Sequence, residues 1–244
     1  KAIAEKYIVP GETADAALGG SDENNYLGDE LAADGDLNGD GFVDLVVSES
    51  GYDDNGAAFV FYGPVTNTGA HLAADAADAA VLGDGDDRFG SALAHLGDVD
   101  GDGFGDFIAG ANDRGTGVGA AYLVFGGTSG VGTGAVATVP GVAWLGAGTY
   151  ERLGSSDSLA GPVDLDGDGL LEVVSTTREG WIFAHNVEGR ADGAVGCQGF
   201  GHDPANTANH ESPLPGFNVP AVVDDTVGID PPKPLPAETC GCAS

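Results

Sequence analysis

The stretch GDLNGDGFVD, residues 35–44, decides how the rest of the chain reads. It sets Asp36, Asn38, Asp40 and Asp44 at positions 1, 3, 5 and 9 of a short loop, with Gly41 at position 6. Alternating positions turn three oxygen-bearing side chains to the inside of a tight loop, and a glycine lets the chain bend sharply beside them. An apolar run, LVVS at 45–48, follows at once. Taken alone, the stretch is compatible with a solvated acidic turn or with half of a helix-flanked calcium loop.

Its recurrence separates these readings. The chain reads GDVDGDGFGDFIAGA from 97 and PVDLDGDGLLEVVST from 162, so the first acids are Asp36, Asp98 and Asp164, spaced by 62 and 66 residues. A second signature keeps step: AALGG at 16–20, AVLGD at 80–84 and AWLGA at 143–147. Between the two stand Tyr26-Leu27-Gly28, Arg88-Phe89-Gly90 and Arg152-Leu153-Gly154. Each acidic loop is followed by an apolar run (LVVS, FIAG, VVST) and then by another: AAFVFYG at 57–63, AAYLVFGG at 120–127 and GWIFAH at 180–185. Three signatures held in register over three copies predict a repeat protein. About four short strands per copy, parted by Gly/Asp/Asn turns, predict propeller blades. A β-sandwich would not explain the recurrence.

The loop pattern is Asp-x-Asp/Asn-x-Asp-Gly-x-x-Asp/Glu. Its members are Asp36, Asn38, Asp40 and Asp44; Asp98, Asp100, Asp102 and Asp106; and Asp164, Asp166, Asp168 and Glu172. Position 7, Phe42, Phe104 or Leu170, can add its backbone carbonyl. Ca²⁺ takes six to eight hard oxygen ligands in forgiving geometry, which this set supplies. A helix-flanked loop would need a glutamate at position 12. Val47, Ala109 and Ser175 stand there, and the flanks are strand-like. Without cations, each loop would hold like charges a few ångströms apart. About three Ca²⁺ ions are therefore expected, one per loop.

These residues resemble FG-GAP repeats, the blades of the integrin α-subunit N-terminal propeller and of many secreted bacterial proteins. The second copy matches best: Phe89-Gly90, the cage Asp98–Asp106, then Gly110-Ala111-Asn112 where the family has Gly-Ala-Pro. The other copies carry Leu27-Gly28 and Leu153-Gly154 instead. The resemblance covers roughly 14–190. It implies loops that bind Ca²⁺ between two strands and stiffen a blade, and it implies adhesion or structure rather than catalysis. Three repeats cannot close a seven-bladed ring, so self-association into an oligomer or filament is expected, with open sheet edges paired or covered. The terminal Cys240-Gly241-Cys242 is similar to the core of myxobacterial-type C-terminal sorting signals, whose anchoring helix is removed on processing.

The expected architecture is therefore all-β. Residues 1–13 form an N-terminal strand or extension, and 14–195 form three four-stranded blades (about 14–77, 78–140 and 141–195). Residues 196–244 form an extended Pro-rich tail, with one more strand expected at AVVDDTVGI, 221–229. Cys197, Cys240 and Cys242 are disulfide candidates, and an odd count leaves at least one unpaired or modified. Both Cys197–Cys240 and Cys197–Cys242 stay open.

Composition narrows the partners. The 244 residues carry a formal net charge of −31 from 8 basic and 39 acidic residues, which argues against nucleic acid and suits divalent cations, basic partners or a salty habitat. No apolar run is long enough for a transmembrane helix, and no signal-peptide pattern opens the chain at Lys1. Several motifs are set aside. Gly115-Thr-Gly-Val-Gly precedes a strand and no helix, so it reads as a turn. His202, Asp203, His210 and Glu211 read as scattered tail polars rather than a zinc site. Ser155, Ser156 and His185 lack a nucleophile-elbow context, and Trp144 and Trp181 read as core. The expectation is a non-enzymatic, extracellular or cell-surface, calcium-stabilised structural or adhesive protein. The alternative is a monomeric lectin-like or protein-binding module with a protein or glycan ligand.

Overall fold

The computed structural model describes residues 16–190 apart from 23, 66–68, 157 and 167. All of these belong to one compact unit, residues 1–202. Residues 1–13, the Pro-rich tail with its expected strand, the three cysteines and His202, Asp203, His210 and Glu211, for which the sequence raised expectations, lie outside the described residues.

Fourteen strands are described. They are β1 (Ala16–Gly19), β2 (Leu27–Gly35), β3 (Asp44–Glu49), β4 (Ala57–Phe61), β5 (Gly69–Leu72), β6 (Ala79–Leu82) and β7 (Phe89–Gly97), then β8 (Asp106–Ala111), β9 (Ala120–Val124), β10 (Gly134–Ala135), β11 (Gly141–Leu145), β12 (Leu159–Val163), β13 (Leu170–Thr176) and β14 (Ile182–Arg190). The helical segments are single turns, such as Ala73–Ala76, so the chain is all-β.

The strands form three successive sheets plus a pair. The first sheet has the order β10-β6-β4-β3-β2, the second β11-β9-β8-β7 and the third β12-β13-β14. Pairing is antiparallel within each, except that β10 joins β6 in parallel. Strands β1 and β5 pair in parallel by themselves. Each sheet begins as a hairpin around an acidic loop, with Gly35 opposite Asp44 and Gly97 opposite Asp106.

The position of the repeat boundary differs from the sequence reading. The segment at 79–82 hydrogen-bonds to β4, and 141–145 to β9. Each closes the preceding sheet instead of opening the next. Local pattern marks them as strands, but their partner is set by tertiary hydrogen bonding. Sheet three has three strands among the described residues.

Burial explains the strand sequences. All five residues of β4 and of β9 are buried, because both faces of these strands are covered. Continuous apolar runs, and not alternating ones, are what such strands require. Val46, Ala58 and Val60 pack against Phe107, Ala109 and Tyr122 between the first and second sheets. Ile108, Ala121 and Leu123 pack with Val173 and Leu153 between the second and third. Phe107 is fully buried, and burial of a side chain that large is worth about 1.5–3 kcal/mol. The expectation that Trp181 is core is corrected: it is 62% exposed, directly before β14, whose first residues Ile182 and Phe183 are exposed too. Trp144 is partly buried and stacks on His185 at 4.7 Å between ring centres.

Candidate metal centres

Each acidic loop links the first two strands of a sheet, and its own side chains organise its backbone. In the first loop, Asp36 Oδ1 accepts from the amides of Gly39 and Asp40 at 2.6 and 3.0 Å, and Oδ2 accepts from Gly41 at 2.8 Å. Asp98 repeats this with Gly101, Asp102 and Gly103 at 2.7, 3.0 and 2.9 Å. The position-1 carboxylate is thus the hub of the turn. Gly41, Gly103 and Gly169 take φ of +85°, +95° and +86°, with open space where a Cβ would stand. Backbone conformation, and not crowding, is what requires glycine at position 6.

Positions 3 and 5 repeat in the same way. Asn38, Asp100 and Asp166 each accept through Oδ1 from the amide of position 5, at 3.0–3.1 Å. Asp40, Asp102 and Asp168 accept from the amides of Phe42, Phe104 and Leu170, at 2.8–2.9 Å.

Position 9 is set apart by burial. Asp44, Asp106 and Glu172 are 2%, 0% and 2% exposed, the first residue of β3, the first of β8 and an early residue of β13. One oxygen of each accepts from the amide of position 2: Leu37, Val99 and Leu165, at 2.7, 2.8 and 2.6 Å. The other oxygen of Asp44 accepts from Gly63, and that of Asp106 from Gly126, at 2.8 and 3.0 Å. These bonds tie the loop to the chain just beyond the third strand of the sheet. In the third loop the second oxygen, Glu172 Oε1, is buried without a hydrogen-bond partner.

The acids that converge are those of positions 1, 3 and 9. One oxygen from each of Asp98, Asp100 and Asp106 lies within 4.8 Å of the others, and Asp164, Asp166 and Glu172 do the same. These two clusters can hold a metal ion. In the first loop Asp36, Asn38 and Asp44 hold the corresponding positions and accept the corresponding backbone amides, with a side-chain amide in place of one carboxylate. The position-5 carboxylates stand outside both clusters and are exposed.

Electrostatics marks the same place. Burial pushes the Asp106 carboxyl up to about 7, the Gly126 and Val99 amides pull it back, and Asp100 and Asp102 raise it further. Burial raises Asp44 too, against the Gly63 and Leu37 amides and with the help of Asp40 and Asp36. Glu172 is raised by burial and then by Asp166, Asp164 and Asp168, against the Leu165 amide, and Asp100 is also raised mainly by burial. Buried carboxyls crowded by like charges are what a divalent cation offsets. The donors are all oxygen, and Glu172 Oε1 has spare acceptor capacity, so the residues present fit a hard cation.

Sequence reasoning missed the double duty of position 9, whose only sequence signal is its place at the junction with an apolar strand. It also missed Glu49, which is 0% exposed, with Oε1 accepting from the Ser21 amide at 2.8 Å and from its hydroxyl at 2.5 Å. A glutamate ending the run LVVSE was the available signal. Asp113 is a third case, bound by Arg152 at 2.8 Å and lying 3.7 Å from Arg88, so it joins the second and third Arg-x-Gly steps.

No family model matches the chain. Over 158 residues it is 30% identical to integrin alpha-4 of Xenopus laevis, a match that takes in 64% of this chain and 14% of the length of that protein. The likeness is to a short part of a much longer relative, and it supports FG-GAP-like repeats in this chain.

Proposed function

We propose that the chain is a calcium-stabilised, propeller-type structural or adhesive module of the cell exterior, without enzymatic activity, whose copies associate with one another. The observation that carries this reading is the inter-strand loop repeated three times, two copies of which bring three carboxylate oxygens together, with Glu172 Oε1 of the third buried and unpartnered. Ca²⁺ would be held by Asp36, Asn38 and Asp44, by Asp98, Asp100 and Asp106, and by Asp164, Asp166 and Glu172. The position-5 acids Asp40, Asp102 and Asp168 and the position-7 carbonyls of Phe42, Phe104 and Leu170 stand near enough in sequence to complete each shell. The bound ion supplies charge neutralisation and cross-links the two strands at each loop; it performs no reaction. Similarity to an integrin α chain supports an extracellular, protein-binding role. Among the described residues no helix is long and apolar enough to cross a membrane.

Thermal melts of the full chain against added Ca²⁺ test this reading. Ca²⁺ at 100 times its Kd should stabilise by about 2.7 kcal/mol for each independent site. Equal melting temperatures in Ca²⁺ and chelator would remove the calcium role.

One feature favours a second reading as a binding module. A polar hollow of about 430 Å³ is lined by Tyr26, Asp29, Glu30, Arg88, Asn112 and Ser156, among others. The Ser156 hydroxyl donates to Glu30 at 2.6 Å across it. An exposed aromatic ring among planar polar side chains suits a glycan or a peptide. Glycan-array binding by dispersed, monomeric protein would favour this reading over the first.

A further inference from the structure

Equivalent positions of the three sheets meet different surroundings, and the difference runs one way along the series. On the side of each sheet that faces the next, Leu37 and Val99 are 1% and 0% exposed, yet their counterpart Leu165 is 55% exposed. Ala58 and Ala121 are fully buried, whereas Ile182, in the same register of β14, is 66% exposed. The carbonyl of Leu37 accepts from Gly127 at 3.0 Å, and that of Val99 accepts from Gly189. In both cases the donor lies just beyond the third strand of the following sheet, or near the end of that strand. Sheet three thus presents a trailing face built like two faces that are buried by a following sheet.

The opposite side of the first sheet shows the complement. Gly28, Gly90 and Gly154 hold one place in the repeat, at φ of +83°, +88° and +78°. A Cβ on Gly90 would lie 2.8 Å from the Ala57 carbonyl oxygen, and on Gly154 2.2 Å from that of Ala120, both on the preceding sheet. A Cβ on Gly28 would meet nothing within 4 Å. Leu31 is 60% exposed, while its counterparts Leu93 and Leu159 pack against the cores between sheets. Phe104 lies over Gly39 of the preceding loop, and Phe42 is 52% exposed. Val47, Ala57, Phe59 and Phe61 on this leading face are already buried, with Leu18 and the turn at Ala73–Ala76 packed on them, and what stays open is the strip at Leu27, Gly28, Leu31 and Leu45 beside an apolar groove.

We propose that the trailing face of the third sheet receives the leading face of the first sheet of a second copy, so that copies add head to tail. This rests on the reading of the chain as a self-associating structural module and names the joint. A second copy is the occupant because the chain carries a bare trailing face and, at the margin of its leading face, an open strip holding Gly28 and Leu31, the counterparts of Gly90, Gly154, Leu93 and Leu159 that dock one sheet on the next. Such a contact is heterologous, and its repetition gives a closed ring or an open filament according to the rotation per chain. Apolar counterparts on both faces supply the burial that drives it.

The test is sedimentation of the full chain in Ca²⁺, with Leu31→Asp to block the leading face and Ile182→Asp to block the trailing face. The wild type should form a concentration-dependent series of assemblies. Each variant alone should associate roughly tenfold more weakly or worse. An equimolar mixture should form a heterodimer and nothing longer, because one chain keeps its trailing face and the other its leading face. Should Ile182→Asp lose its cooperative melt, Leu165→Asp on the exposed loop gives the same reading. A monomeric wild type up to about 1 mM, or a single variant that assembles as the wild type does, would overturn the joint. If that monomer still binds Ca²⁺, the calcium reading stands; assembly without calcium uptake would leave the joint and remove the calcium reading.

Discussion

Acidic side chains within one loop divide their work, and the division can be measured. Asp106 is buried and holds the amides of Val99 and Gly126, so it serves the fold with or without an ion. Asp100 accepts one local amide and otherwise faces the cluster. Asp106→Ala should therefore cost about 2–4 kcal/mol in chelator as well as in Ca²⁺, because two buried amides lose their acceptor. Asp100→Ala should cost under about 1 kcal/mol in chelator and clearly more in Ca²⁺. Denaturant melts of both variants in both conditions check this. Burial pushes Asp87 up to about 6, Arg114 at 3.5 Å pulls it back, and Asp84 and Asp86 raise it. Its folded value lies above its ordinary 3.8, so the folded chain keeps this proton longer than the unfolded chain does. The stability from this group is therefore present below about pH 4 and lost as pH rises through about 6. Asp87→Asn should gain on the wild type across that window, by on the order of 1 kcal/mol or about 2–4 °C in Tm. A constant difference between the two proteins from pH 4 to 7 would contradict the assignment.

At the scale of the element, the hairpin and the Gly step are the units that build each sheet and dock it. Gly154 combines a left-handed conformation with contact on the Ala120 carbonyl, whereas Gly28 has the conformation alone. Gly28→Ala should cost about 1 kcal/mol, and Gly154→Ala several kcal/mol, since backbone on both sides would have to part. Equal costs in equilibrium unfolding would mean that the step does not dock sheet on sheet. The hairpins were legible in the sequence because turn chemistry and apolar runs are local: Asp98 to Asp106 and the strand FIAGA sit where pattern puts them. The membership of β6 and β11 was not legible. AVL at 80–82 has the same local appearance whichever sheet it joins, and only its hydrogen bonds to β4 decide. Trp181 failed for a related reason, because its burial depends on a neighbouring surface that no local pattern reports.

For the molecule as a whole, three sheets in series are joined by two repeated apolar interfaces, with an acidic inter-strand loop on each sheet. The all-β class and the loops were readable because they recur; recurrence turns a weak motif into a geometric constraint. The distribution of ligands was only partly readable. Spacing places the four oxygen-bearing side chains of a loop on one turn, but burial singles out position 9, and the exposed position-5 acids Asp102 and Asp168 lie outside the two clusters of converging oxygens. The formal charge of −31 opposes both compaction and association, so cations should matter to each. Counting bound ions by native mass spectrometry of the full chain in Ca²⁺ tests this account most directly. It predicts three Ca²⁺ per chain, falling to two in Asp100→Ala. Retention of at most one ion by the wild type, or an unchanged count in that variant, would contradict it.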